Sequence, residues 1–151
     1  MQGRRRDTHH MDSPTELEQS LQAAGWRARD LPGHMGRVGP LWTRKLEGGW
    51  SYGLISTEQH LNPAGVVHGG MLVTLLDHAL SAIAWEAAKR QACVTISLDT
   101  SFHGAVKPGV FVEANGVIAR QTRSLIFMRG TLNANGQEVV SGQAILKISG
   151  G

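Results

Sequence analysis

Along most of the chain apolar and polar positions alternate with the period of a strand, and one stretch breaks that rule. From Met71 to Trp85 the residues MLVTLLDHALSAIAW are apolar on nearly every face of a helix, which is the pattern of a helix enclosed in a core. Turn residues introduce it (Asn62, Pro63, Gly65), followed by His68-Gly69-Gly70, and it runs on to about Lys89. At about 20 residues the stretch has the length of a membrane span, but Asp77, His78, Glu86 and Lys89 argue against one. Asp77 is the anomaly, because a carboxylate buried without a partner is strongly unfavourable.

The flanking patterns predict a sheet. Ser13-Pro14-Thr15-Glu16 reads as an N-cap, a proline at the first helical position and an acidic first turn, opening a helix that carries Leu17 and Leu21 and stops at Gly25. Leu31 to Pro40 is punctuated by glycine and proline and predicts a loop. Strands are expected over Leu41–Leu46 and Trp50–Thr57, with Glu47-Gly48-Gly49 turning between them. Beyond the helix come Cys93–His103, with Val94, Ile96 and Leu98 on one side, then Val110–Arg120, Leu125–Leu132 and Glu138–Ile148. Asn135-Gly136 is a strong hairpin signal before the last strand. The order predicts a three-to-four-strand meander, and consecutive hairpins imply an antiparallel sheet with one helix packed on it, an α+β architecture.

Composition narrows the class. At 151 residues, with 41% hydrophobic and 18% charged, the chain fits one globular domain with a real core. Residues 1–12 read as a disordered basic arm, 13–39 as a helix and loop, and 40–151 as the main domain. The formal net charge is only +3, part of it in Arg4-Arg5-Arg6, so no nucleic-acid-binding face is expected. A single cysteine, Cys93, excludes an internal disulfide and fits a reducing, cytoplasmic setting. No secretion signal is expected either. Seven histidines lack zinc-motif spacing, so no metal is expected. The absence of G-x-S-x-G gives no support to a nucleophile-elbow hydrolase.

Two places on the central helix carry chemistry. His68-Gly69-Gly70 puts backbone N–H groups that lack intrahelical partners at the positive end of the helix dipole. Glycine there lets an oxyanion approach the main chain, as an oxyanion hole requires. Asp77 lies eight residues further on, about 12 Å along the axis, so within one chain the two cannot hold the same small group. Either they are unrelated, or they meet across a two-fold dimer.

Asn62-Pro63-Ala64-Gly65-Val66-Val67-His68-Gly69-Gly70, with Thr74-Leu75-Leu76-Asp77 following, resembles the hallmark of hotdog-fold acyl-CoA thioesterases of the phenylacetic-acid-degradation and 4-hydroxybenzoyl-CoA type. The likeness continues through Thr95-Ile96-Ser97-Leu98-Asp99 and Lys107-Pro108-Gly109, and covers roughly residues 40–148. It implies a hotdog fold, an antiparallel sheet wrapped around the helix, and hydrolysis of an aryl or medium-chain acyl-CoA without a cofactor. It implies Asp77 as general base or nucleophile, the Gly69 N–H as oxyanion donor, and Asn62 and His68 lining the site. Ser81 matches a water-holding position, and Gly70 and Thr95 belong to the substrate pocket. Arg123 and Ser124 fall where relatives use a basic loop near the CoA phosphates. The resemblance further implies a homodimer that forms the active site, and a dimer of dimers. His103-Gly104-Ala105 and Gln121-Thr122-Arg123 depart from the usual pattern near the expected CoA.

Duller roles stand beside these: Asp77 as a structural carboxylate, His68 as a cap, Asn62 as a turn residue, Ser81 and Thr95 as packing. Trp50 and Trp85 read as core or interface, with an acyl-tunnel wall open to Trp85. The functional alternatives are a non-catalytic acyl-CoA-binding module, a thioesterase acting on acyl-carrier protein, and a dehydratase or hydratase on the same fold.

Overall fold

The computed structural model describes residues 14–150. The basic arm and the Ser13 cap lie outside the described residues. Thr15, in extended conformation, caps the first helix: its Oγ1 accepts the Glu18 N–H at 3.2 Å. Pro14 therefore stands before the cap and not at the first helical position. This helix, α1 (Glu16–Ala23), gives way to Gly25 at φ +92°, a left-handed turn that favours glycine.

Seven antiparallel strands follow: β1 (Arg27–Arg29), β2 (Leu41–Leu46), β3 (Gly49–Ile55), β4 (Cys93–Phe102), β5 (Phe111–Gln121), β6 (Leu125–Ala134) and β7 (Gln137–Ile148). Their spatial order is β1-β2-β3-β5-β6-β7-β4. The expected meander is real for β5-β6-β7, whereas β4 pairs with β7 at the far edge and not with its neighbour in sequence. The segment after Phe102 carries the chain back across the sheet end, pinned where the Val67 N–H donates to the Val106 carbonyl at 2.8 Å. Ser56 Oγ fixes the same segment by donating to the Lys107 carbonyl at 2.7 Å and accepting the Val110 N–H at 3.0 Å. The segment expected to be loop holds a short helix, α2 (Gly33–Val38), with Met35 buried in the core.

The long helix, α3 (Gly69–Ala87), lies against the inner face of the sheet, with Leu72, Leu75, Leu76, Ala79, Leu80 and Ala84 buried. Three glycines in register across β5, β6 and β7, Gly116, Gly130 and Gly142, make the seat for it. A Cβ at Gly116 would stand 2.6 Å from Leu80, and one at Gly130 or Gly142 would stand 2.9 or 2.8 Å from Leu76. Side chains there would push the helix away from the sheet. This is the hotdog fold. Among the described residues no helix is long and apolar enough to cross a membrane.

One sequence expectation fails on β4. Val94 and Ile96 are more than half exposed, and only Leu98 packs against the core. The ladder to β7 slips between Thr95 and Ser97, so Ile96 is the extra residue of a β-bulge, which breaks the alternation. The phase shift turns Thr95 inward, toward α3.

Candidate active site

The N-terminus of α3 is built by His68. Its carbonyl accepts the N–H groups of Met71 and Leu72, and its Nδ1 accepts the Gly70 N–H at 2.8 Å. The ring is thus the helix cap, and a neutral ring carries its proton on Nε2. With Gly70 used in this way, the Gly69 N–H has no hydrogen-bond partner among the described residues. It is one of the orphan donors that every helix start leaves, and it sits at the positive end of a 19-residue helix. The Phe102 ring lies alongside, 3.3 Å from where a Gly69 Cβ would be. A glycine in the sequence signals close approach, but nothing in its neighbours identifies the approaching group as Phe102.

Eight residues along, Asp77 faces β4. Thr95 Oγ1 donates to Asp77 Oδ1 at 2.7 Å, and Ser81 Oγ lies 3.4 Å from Thr95 Oγ1. All three residues are partly buried. Asp77, Ser81 and Thr95 therefore come together as one polar cluster on an otherwise apolar flank, and Oδ2 of Asp77 has no partner among the described residues. Beside Asp77, His78 is held below the ordinary histidine pKa by burial, an effect the Asp77 charge opposes.

The other candidates lie elsewhere. Asn62 Oδ1 accepts the N–H groups of Ala64 (2.9 Å) and Val66 (3.3 Å), so its carbonyl shapes the turn before the helix. Arg123 and Ser124 are exposed on the β5–β6 turn. The neighbouring Leu125 pairs with Lys147, which also pairs with Val94. That is the Cys93 end of the sheet, whereas Gly69 lies beside Phe102 at the opposite end of β4. Within one chain the structure does not bring Arg123 and Ser124 to Gly69.

A serine–histidine contact exists outside this cluster. His103 Nε2 lies 2.8 Å from Ser141 Oγ and 3.7 Å from Glu138 Oε1. Both partners meet the same ring nitrogen and the group is exposed. A nucleophile triad needs the acid on the other nitrogen, in a shielded site. Among the described residues no cluster of three or more metal-ligating side chains forms.

Comparison with known proteins gives the family. The family model of the thioesterase superfamily matches residues 64–141, from the turn before α3 to β7. The chain belongs to the thioesterase superfamily and is a thioester hydrolase by family. A candidate esterase of Pseudomonas aeruginosa, PA0474, is 28% identical over 92 residues, covering 60% of this chain and 69% of that protein. Two solved structures share the fold. One is a mutant form of the phenylacetic acid degradation protein PaaI of Thermus thermophilus (TM-score 0.62, 20% identity, 85% of this chain and 97% of that one). The other is a hypothetical thioesterase protein of Streptococcus pneumoniae with coenzyme A (TM-score 0.64, 18% identity, 83% and 89%).

Proposed function

We propose that the chain is an acyl-CoA thioesterase that releases an aryl or medium-chain acid, with a site completed across a two-fold dimer. The observation that carries this reading is the Asp77 carboxylate, fixed through Oδ1 by Thr95 with Oδ2 free. With one oxygen held and the other open, the carboxylate is oriented and still able to take a proton or attack a carbonyl carbon. The coenzyme A bound to the Streptococcus pneumoniae relative supports CoA as the thiol.

Asp77 takes the proton of a water, or itself attacks the thioester carbon. The developing oxyanion is met by the Gly69 N–H of the other subunit, and one such donor is worth about 3–4 kcal/mol. His68 orients that loop by holding Gly70, and Ser81 and Thr95 position the water and the carboxylate. Asn62 shapes the turn. The thiolate is a good leaving group, so no strong general acid is needed. Arg123 and Ser124 reach the CoA phosphates from a neighbouring subunit. Residues 40–151 form the thioesterase domain, and two dimers associate further. The exposed edge of β4, carrying Val94 and Ile96, is the surface on which two copies pair.

The test is an assay of wild type beside Asp77→Ala on a panel of acyl-CoAs with a thiol-detecting reagent. Turnover that falls by about 10²–10⁴-fold in the variant, with an unchanged circular dichroism spectrum, supports the reading. Wild type that binds acyl-CoA without turning it over would overturn it.

A further inference from the structure

On the flank of α3 away from β4 lies a groove of about 880 Å³ between the helix and the β2–β3 hairpin. That is ample for a drug-sized ligand. Trp50, Ile83 and Trp85 line it with three cations, Arg29, Lys45 and Arg90, and one carboxylate, Glu86. Arg90 lies 3.9 Å from Glu86 and the Arg29 Nε–H donates to Thr43, so Lys45 is the cation with no such contact among the described residues. Trp85 is 40% exposed, a wide aromatic surface beside the groove. The Arg90 guanidinium lies 5.3 Å from the centre of that ring, within cation–π range.

Tyr52 also lines the groove. It is only 7% exposed, yet its hydroxyl has no hydrogen-bond partner among the described residues. Burial, reinforced by the Glu86 charge, raises its pKa, so the hydroxyl stays protonated and is a donor. The groove thus presents one free donor that reaches its lumen, an apolar lining and a net positive set of side chains, the complement of an apolar chain ending in an anion.

None of Asp77, Ser81 and Thr95 lines the groove, although Trp85 stands one turn beyond Ser81. Glu86 is half a turn round the helix from Asp77 and about 13 Å along it, and the fully buried Ala79, Leu80 and Ala84 stand between. We propose that this groove is a second binding site, for an amphipathic monocarboxylate of medium chain length. Tyr52 and the cations hold the carboxylate, while Trp50 and Trp85 hold the chain.

The experiment is a titration of the full chain with sodium decanoate, followed by tryptophan fluorescence and calorimetry, with and without saturating coenzyme A. The wild type is compared with Tyr52→Phe and with Lys45→Gln/Arg90→Asn; asparagine suits the left-handed backbone of Arg90, φ +66°. The expected result is one decanoate per chain, undisturbed by coenzyme A. Affinity should weaken at least about tenfold in the double variant and by a smaller factor in Tyr52→Phe, and 1-decanol should bind at least about tenfold more weakly than decanoate. Competition by coenzyme A, equal binding of 1-decanol, or unchanged affinity in the double variant would each overturn the proposal. The readout is binding alone, so it stands or falls independently of thioester hydrolysis.

Discussion

The two ends of α3 are finished in opposite ways. At the C-terminus the Arg90 N–H donates to the Trp85 carbonyl at 2.8 Å and the Lys89 N–H to the Glu86 carbonyl at 3.2 Å. These are the paired bonds that commonly end a helix at a left-handed residue. They are made although the residues there are not glycine: Lys89 and Arg90 stand at φ +56° and +66°, at roughly 1–2 kcal/mol of strain each. At the N-terminus the His68 ring and carbonyl take the N–H groups of Gly70, Met71 and Leu72, and the Gly69 N–H is left over. The chain tolerates strain to pair the carbonyls of one end and leaves a donor free at the other. That free donor is the one the proposed oxyanion role uses, and the comparison teaches which end to test first.

The sharpest way to break this contrast is to mix subunits. Asp77→Asn and Gly69→Val should each lose activity by about 10²-fold or more. Co-refolded in equal amounts, they should recover about a quarter of wild-type activity, because half the dimers are mixed and one of their two sites is intact. No recovery in a mixture shown to contain mixed dimers would place both groups in one chain. Next in size, His68→Ala removes the acceptor of the Gly70 N–H and should lower stability by about 1 kcal/mol in urea unfolding. An unchanged midpoint would mean that the ring does not hold the open end.

At the sealed end, Lys89→Gly should raise stability by about 0.5–1 kcal/mol, strain relief outweighing glycine's entropy; a loss would mean the left-handed turn is not strained. The smallest effect lies between the ends. Burial lowers the pKa of His78 in the folded chain from 6.5, so the unfolded chain takes up that proton first. Its contribution is therefore complete above the ordinary histidine value, falls as pH drops through it, and levels off once the folded ring is also charged. Urea midpoints between pH 7.5 and 5.5 should fall less in His78→Gln than in wild type.

The helix and the main strands were legible because each has a strong period of its own. Asn135-Gly136 was equally plain, and both residues take the positive φ its turn demands (+51° and +76°). Arg27–Arg29 was not legible, since its three exposed residues become a strand only by pairing with β2. The helix at Gly33–Val38 has poor propensity and exists because Met35 is anchored in the core and the buried His60 ring bonds the Val38 carbonyl. Val94 and Ile96 misled because a bulge has no signature in an alternating pattern. Of the candidate site, Asp77 and Ser81 share a face by helical spacing, whereas Thr95 came only through the family resemblance. Phe102 was missed, and so were the unpartnered hydroxyl of Tyr52 and the cations that line the groove with it, because their arrangement depends on strands that meet far apart in sequence.

The strand order has a consequence for how the chain is made. β4, which holds Thr95 against Asp77, finds its partner only in the last strand, Val140 to Ile148. During synthesis at about 5–20 residues per second it must wait for roughly forty more residues, that is for seconds, with Val94 and Ile96 on an unpaired edge. The helix is complete long before the strand that finishes its carboxylate. A ribosome-bound chain halted before β7 has the acid but not its support, so β7 is the strand whose arrival assembles the site.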